Sequence, residues 1–94
     1  MAHTNWTFLT NHAHVLLCIA KNPTLRLRDI AHTVGITERS VNQIVNDLVA
    51  SGFVEVSRNG RCNEYSLHPE KALRHPMESH KQVAELFRLV DCTI

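Results

Sequence analysis

Hydrogen-bonding side chains concentrate between residues 37 and 46. These side chains are Thr37, Arg39, Ser40, Asn42, Gln43 and Asn46. An Asn or Gln amide can make two hydrogen bonds to the N6/N7 edge of adenine, and an Arg guanidinium can do the same with guanine O6/N7. The segment is therefore predicted to contact base edges in a DNA major groove. The alternative is the ordinary solvated face of a surface helix.

Arginines outside that segment are candidates for contacts with the DNA backbone. Arg58 and Arg61 flank Asn59-Gly60, and a short basic turn suits a phosphate or a minor groove. The alternative is that their charge guards an edge hairpin against aggregation. Arg28, and with it Arg26, could touch phosphates from the start of the second helix.

The charge balance limits which kind of DNA binder this could be. The 94 residues contain ten Lys+Arg and nine Asp+Glu, a net charge of +1. This balance excludes a polybasic protein that binds by bulk attraction, but not one whose basic groups are placed locally. Glu38 lies at the start of the candidate DNA-binding segment and would repel phosphate, so weak non-specific affinity is expected.

Other kinds of chemistry find little support in the sequence. His14 and Cys18 are spaced i, i+4, but zinc needs three or four converging ligands, so neither a metal nor a cofactor is expected. No glycine-rich phosphate loop or Ser-His-Asp context is present, so no enzymatic activity is expected.

The cysteines and the hydropathy of the chain indicate in which cellular compartment the protein is expected. The three cysteines lack C-x-x-C spacing, which favours reduced thiols over a disulfide framework. The longest apolar run, from Val15 to Ala20, is far shorter than the roughly 20 residues of a membrane helix. The first five residues do not resemble a secretion signal, so a cytoplasmic protein with no membrane contact is expected.

Three helices are predicted in the first half of the chain. Thr10 is a plausible N-cap for a helix from Asn11 to Lys21. A second, about Arg28 to Val34, ends at Gly35, and a third begins after the N-cap Thr37 and ends before Gly52. The apolar residues of the first helix are Ala13, Leu16, Leu17 and Ala20, and those of the third are Val41, Ile44, Val45, Leu48 and Val49.

A β-hairpin is predicted next. Phe53–Val56 and Asn63–Leu67 are rich in β-forming residues, and Asn59-Gly60 between them favours a two-residue type I′ loop. This register pairs Arg58 with Arg61 and Val54 with Tyr65. It also pairs Glu55 with Glu64, an unfavourable like-charge pair that nearby arginines would have to relieve unless the register differs.

A last helix is predicted from about Met77 to Asp91. Its apolar stripe consists of Val83, Leu86, Phe87 and Val90. This is more apolar surface than a closing helix needs, so the stripe is predicted to pair with a second copy in a homodimer, with Trp6 and Phe8 alongside. The alternative is that the helix folds back onto its own core.

Three helices followed by a hairpin are the elements of a winged helix-turn-helix. The segment Asp29–Val41 resembles the helix-turn-helix of MarR/ArsR-type bacterial regulators, and Leu48–Val54 resembles the passage from their recognition helix into the wing. Gly60-Arg61, with Tyr65 and Leu67, resembles their wing. The expected fold is a mostly α (α+β) single domain over residues 1–94, with a core and wing over 8–67 and a C-terminal dimerisation helix over 77–91.

The resemblance implies a transcriptional regulator that binds double-stranded DNA sequence-specifically as a homodimer. The chain lacks the paired cysteines of ArsR-type metal sensors and the long extra helices of MarR-type ligand binders, so no effector is assigned. The alternative function is a winged helix that serves as a protein-interaction module and does not bind DNA.

Overall fold

Three helices, a two-stranded hairpin and a short fourth helix form the fold. The computed structural model describes residues 6–91, without the side chain of Asn59. The elements in chain order are α1 (Asn11–Lys21), α2 (Leu27–Val34), α3 (Glu38–Ala50), β1 (Val54–Asn59), β2 (Cys62–Leu67) and α4 (Ala84–Leu89). This order confirms the predicted mostly α winged helix-turn-helix with a β-hairpin wing. None of the helices within residues 6–91 is long and apolar enough to cross a membrane.

Helix α1 is the helix against which the three other helices pack. The Thr10 side chain accepts a hydrogen bond from the Ala13 N–H at 3.2 Å and caps the helix at the predicted position. The helix packs against α2, α3 and α4. Val15 and Ile19 are fully buried although they lie outside the predicted apolar stripe. Helix α1 therefore buries more than one face, and a single-stripe description of it was wrong.

A three-residue turn joins α2 to α3. Gly35 has a left-handed φ of +86°, and its N–H donates to the Ala31 carbonyl at 2.8 Å, which ends α2 where the sequence predicted. The Thr37 side chain then accepts the Ser40 N–H at 3.0 Å and starts α3. Local interactions at both helix ends thus set the direction of α3.

The wing turns at Gly60-Arg61, so the predicted Asn59-Gly60 loop was wrong. Asn59 pairs with Cys62 across the turn. Gly60 has a φ of +66° as the first loop residue, whereas Arg61 does not have a positive φ. This is the pattern of a type II′ turn, which needs glycine only at its first central position.

The wing register differs by two residues from the predicted one, which preserves the sides on which the side chains lie. Val56 pairs with Tyr65 and Val54 with Leu67, so the apolar residues still share one face. Glu55 now pairs with Ser66, and the predicted Glu55–Glu64 pair is absent. The shifted register matches apolar partners and removes the like-charge pair.

The segment before α4 is not helical, and the prediction of a helix starting near Met77 was wrong there. The Val83 N–H donates to the Lys71 carbonyl at 2.8 Å, and the Leu73 N–H donates to the Lys81 carbonyl at 2.9 Å. Both bonds use backbone groups that a helix would need. Only Ala84–Leu89 forms a helix.

The short α4 folds back onto the chain's own core. Val83 and Phe87 are only 3% and 2% exposed, and α4 contacts α1. Leu86 and Val90 are half-buried and pack against the same core. Two of the four residues predicted for a dimer interface, Val83 and Phe87, are therefore buried inside the monomer. They can be buried there because α1 has a second apolar face against which α4 packs. Leu89, which the prediction did not single out, is 68% exposed.

Candidate nucleic-acid interface

Helix α3 separates a buried face from a polar one. Val41 is fully buried, and the other core residues of this helix are Ile44, Val45 and Leu48. Val49 is 40% exposed and does not belong to the buried stripe, contrary to the prediction. The residues on the outer face are Arg39, Asn42, Gln43 and Asn46, all exposed.

Two of the six side chains predicted on α3 already have partners in the helix cap. Thr37 accepts the Ser40 backbone N–H, and its hydroxyl donates to Ser40 Oγ at 2.9 Å. Ser40 is half-buried. Both hydroxyls thus stabilise the start of α3, while a role for them in DNA contact stays a prediction.

The four outer side chains of α3 have no hydrogen-bond or ion-pair partner within residues 6–91. The side chains of Arg39, Asn42, Gln43 and Asn46 make no hydrogen bond or ion pair there. Together they carry amide donors, amide acceptors and a guanidinium fork. They can therefore bind an external polar surface without first breaking a contact inside the protein.

A hydrogen bond between side chains that the sequence analysis missed joins α1 to α3. His12 Nε2 and Asp47 Oδ2 lie 2.9 Å apart, with both side chains about half exposed. These residues help to line a shallow cavity of about 400 Å³ beside Ser40 and Gln43. Such an exposed pair contributes little stability, but it connects α1 to the helix that carries the outer polar face. No local signal could have revealed it, because the partners are 35 residues apart.

The predicted backbone-contacting arginines are all exposed. Arg28 lies in the first turn of α2, Arg61 lies in the wing turn, and Arg58 pairs with Asn63 in the sheet. On the wing, the carboxylate of Glu55 is engaged by His68, whose Nε2 lies 2.5 Å from Glu55 Oε2.

Potential metal ligands do not converge in the described part of the chain. No group of three His, Cys, Asp or Glu side chains within residues 6–91 could hold a metal ion. His14 Nδ1 instead lies 3.2 Å from Asn11 Oδ1. Burial raises the pKa of the Cys18 thiol, and the charge of Lys21 only partly offsets this.

A sequence profile of the MarR family matches residues 7–61, which is more than half of the chain. The chain belongs to the MarR family. The match covers the three helices and the start of the wing, so it confirms the resemblance inferred from those elements. MarR-family proteins are DNA-binding transcriptional regulators without enzymatic activity.

Two solved structures of MarR-type regulators share the fold. A mutant of ZitR from Lactococcus lactis aligns with a TM-score of 0.63 at 16% identity, over 98% of this chain and 57% of that one. The zinc-dependent MarR family regulator AdcR in its zinc-bound state aligns with a TM-score of 0.50 at 24% identity, over 72% of this chain and 49% of that one. The chain thus spans about half the length of these regulators. No curated protein sequence matches it significantly.

Proposed function

We propose that this chain is a sequence-specific transcriptional regulator that acts on double-stranded DNA as a homodimer in the cytoplasm. Helix α3 enters the major groove, and the wing contacts the backbone or the minor groove. The observation that carries this proposal is the outer face of α3, where Arg39, Asn42, Gln43 and Asn46 are exposed and uncommitted within residues 6–91.

The packing of α3 against the rest of the domain leaves its outer face free to enter a DNA groove. The B-form major groove is about 12 Å wide and accepts a helix with its side chains. The helix is capped by Thr37 at one end and packs on α1 and α2 through Val41 and its neighbours. The backbone of a helix held in this way needs little further ordering on binding, so the loss of conformational freedom is confined mainly to the outer side chains.

The charge distribution favours discrimination between sequences over general affinity. Few phosphate contacts are available to a chain of net charge +1, so non-specific binding should be weak at physiological salt. Glu38, in the first turn of α3, favours the positive helix N-terminus and can accept a hydrogen bond from cytosine N4. Base contacts must then supply a large share of the binding free energy.

A dimer would double the contact, because one winged helix covers one half-site. The apolar surface for it lies near the two described ends. Leu89 is 68% exposed beside half-buried Leu86 and Val90. Trp6 and Phe8 are 64% and 92% exposed, with their rings 5.0 Å apart in an edge-to-face arrangement. We assign these residues to the contact between copies, in place of the buried Val83 and Phe87.

Selection of binding sites from random duplexes by the purified protein tests this function. We expect an enriched motif of two half-sites about one or two helical turns apart, and an affinity that falls as salt increases. The triple variant Asn42→Ala, Gln43→Ala, Asn46→Ala should lose the motif, whereas Gln82→Ala, an exposed amide outside the interface, should keep it.

The protein-interaction alternative predicts a different result. A module of that kind enriches no motif and binds duplex no better than the triple variant does. The zinc dependence named for AdcR is not carried over, because no converging ligand set occurs within residues 6–91.

A further inference from the structure

A lysine that follows the wing in sequence lies where α3 passes into the wing. The ammonium of Lys71 donates a hydrogen bond to the carbonyl of Ser51, the C-cap residue of α3, at 2.9 Å. The same nitrogen lies 5.1 Å from the centroid of the Phe53 ring, which is within the range of a cation–π contact. Phe53 is buried directly before β1. We call residues Ser51–Phe53 the α3–wing junction, and Lys71 contacts both of its ends.

The backbone of Lys71 is itself held on two sides. Its N–H donates to the His68 carbonyl at 3.2 Å, and its carbonyl accepts the Val83 N–H at 2.8 Å. Lys71 is also half-buried. An anchored backbone and partial burial restrict the side chain, so less conformational entropy opposes its bond to Ser51 than opposes a bond from a fully exposed lysine.

The charge of Lys71 compensates for a property of the end of α3. The carbonyls at the C-terminus of a helix lack partners inside the helix and are partially negative. The last turn of α3 contains no basic residue. Lys71 supplies a cation from outside the helix, and Arg74 brings a second one, with its Nη1 3.5 Å from Ser51 Oγ.

Gly52 makes room for the ammonium of Lys71. Its φ is +81°, and a β-carbon at this position would lie only 3.0 Å from Lys71 Nζ, closer than an ordinary van der Waals contact. The missing side chain thus lets the ammonium reach the Ser51 carbonyl across the turn. The residue that ends α3 and the residue that bonds to this end therefore fit each other.

We propose that Lys71 is a positioning residue that fixes the wing relative to α3. The six residues of β1 lie between the α3–wing junction and the turn that contains Arg61. Such a strand is about 20 Å long, so a rotation of about 10° at its base moves its far end by about 3 Å. A hydrogen bond does not survive a displacement of that size. The role of this position in DNA binding rests on the function proposed above.

Amide hydrogen exchange tests the α3–wing junction without DNA. Lys71→Met keeps an apolar stem of similar length but has no ammonium. The N–H groups of Gly52 and Phe53 donate back to carbonyls of α3, and they should exchange roughly three- to tenfold faster in this variant, as expected for one lost hydrogen bond. Lys71→Arg can bond to the same carbonyl and stack on the ring, so it should restore slow exchange. Lys81→Met, with the same charge loss at an exposed position, should leave exchange unchanged.

A labelled duplex tests the consequence for the wing tip. Arg61→Ala should lower the slope of log affinity against log salt by about one unit in the wild-type background. In the Lys71→Met background it should leave the slope unchanged, because the displaced tip has already lost its contact. In the Lys81→Met background it should keep its full effect. Gln43→Ala should weaken binding by the same factor in all three backgrounds, since α3 keeps its own contacts.

The outcomes separate this proposal from the DNA-binding function. If Gly52 and Phe53 exchange equally fast in Lys71→Met and Lys81→Met, Lys71 does not hold the α3–wing junction and the proposal is overturned. If their exchange accelerates in Lys71→Met but Arg61→Ala keeps its full effect on the salt slope there, the positioning role is refuted while DNA binding stands. If their exchange accelerates and the wild type binds no duplex, the link between α3 and the wing is supported while the DNA-binding function fails.

Discussion

The polar side chains of α3 differ in what already engages them. Thr37 and Ser40 bond to each other and stabilise the helix start, whereas Asn42 and Gln43 have no partner within residues 6–91. The Thr37 hydroxyl would have to break its bond to Ser40 before donating to a ligand, and half-buried Ser40 retains only its own O–H as a donor, while an exposed amide exchanges only water. The amides are therefore the stronger candidates for base contacts.

Gln43 and Arg61 are predicted to contribute differently to DNA binding. Gln43→Ala should cost about 1–3 kcal/mol on the selected site and relax the preference at one base pair. Arg61→Ala should weaken binding to all sequences alike and lower the salt slope by about one unit. Anisotropy titrations with specific and random duplexes measure both effects. Equal behaviour of the two variants on both duplexes would contradict this assignment of roles.

The two described cysteines should differ in reactivity toward alkylating agents. Burial raises the pKa of Cys18 above the ordinary 9.0, so less of the reactive thiolate is present at any given pH. Iodoacetamide should modify Cys18 more slowly than exposed Cys62 near pH 8, and the Cys18 rate should keep rising at pH values above 9.0. Faster labelling of Cys18 would show that the helix packing around it is more open than described.

At the scale of elements, caps and turns position the candidate interface. Gly35 ends α2 in a left-handed conformation, and Thr37 starts α3 two residues later. The Gly60 turn sets the wing register and thereby places Arg58 on the same face of the wing as Val56 and Tyr65. The cap and the two glycine turns each depend on local contacts, yet they determine the direction of α3 and of the wing, and so the positions of the side chains on them.

Removal of the α3 cap should destabilise the fold. Thr37→Ala leaves the Ser40 N–H without its side-chain acceptor and should lower the free energy of unfolding by about 1 kcal/mol. Thr33→Ala, an exposed threonine inside α2, should be neutral or slightly stabilising because alanine favours helix. Urea denaturation of both variants tests the role of the cap, which is refuted if Thr37→Ala is as stable as the wild type.

Helix α4 should contribute to the core of the monomer. Phe87→Ala removes a side chain that is 2% exposed and should cost about 3–5 kcal/mol. Leu89→Ala, on the same helix but 68% exposed, should cost far less. Thermal denaturation at low protein concentration separates the two. Equal, small losses would mean that α4 does not pack as the structure shows.

At the scale of the whole molecule, the open question is how the exposed apolar surface is covered. The core takes up Val83 and Phe87, yet Leu89, Trp6 and Phe8 remain exposed. Exposed apolar surface of this kind commonly marks contact with another protein. The proposed dimer covers it and presents two copies of α3 to two half-sites.

Leu89→Glu should dissociate this dimer without unfolding the chain. A carboxylate in an apolar contact between copies would be desolvated without a partner. Sedimentation should show a dimeric wild type and a monomeric variant at the same micromolar concentration, with similar melting temperatures at high dilution. Gln82→Glu, with the same charge change at an exposed position, should stay dimeric. A wild type that is monomeric at high micromolar concentration would rule out the dimer.

Local patterns in the sequence determined much of this structure. The N-caps Thr10 and Thr37, the left-handed Gly35 and the apolar spacing of α3 each act within about four residues, so they could be inferred without the fold. The outer face of α3 follows from the same periodicity. The candidate interface on that helix was therefore accessible from the sequence.

Tertiary contacts decided the remaining features. Two adjacent loop positions can each turn the wing, and the pairing of Val54 with Leu67 and of Val56 with Tyr65 matches only one of them. The start of α4 depends on the bond between Val83 and Lys71, and the attachment of the wing to the connection between α1 and α2 depends on the bond between Tyr65 and Pro23. These partners lie 12 and 42 residues apart. Periodicity carries no information at such separations, because the energy of these contacts exists only once the helices have packed and brought the partners together.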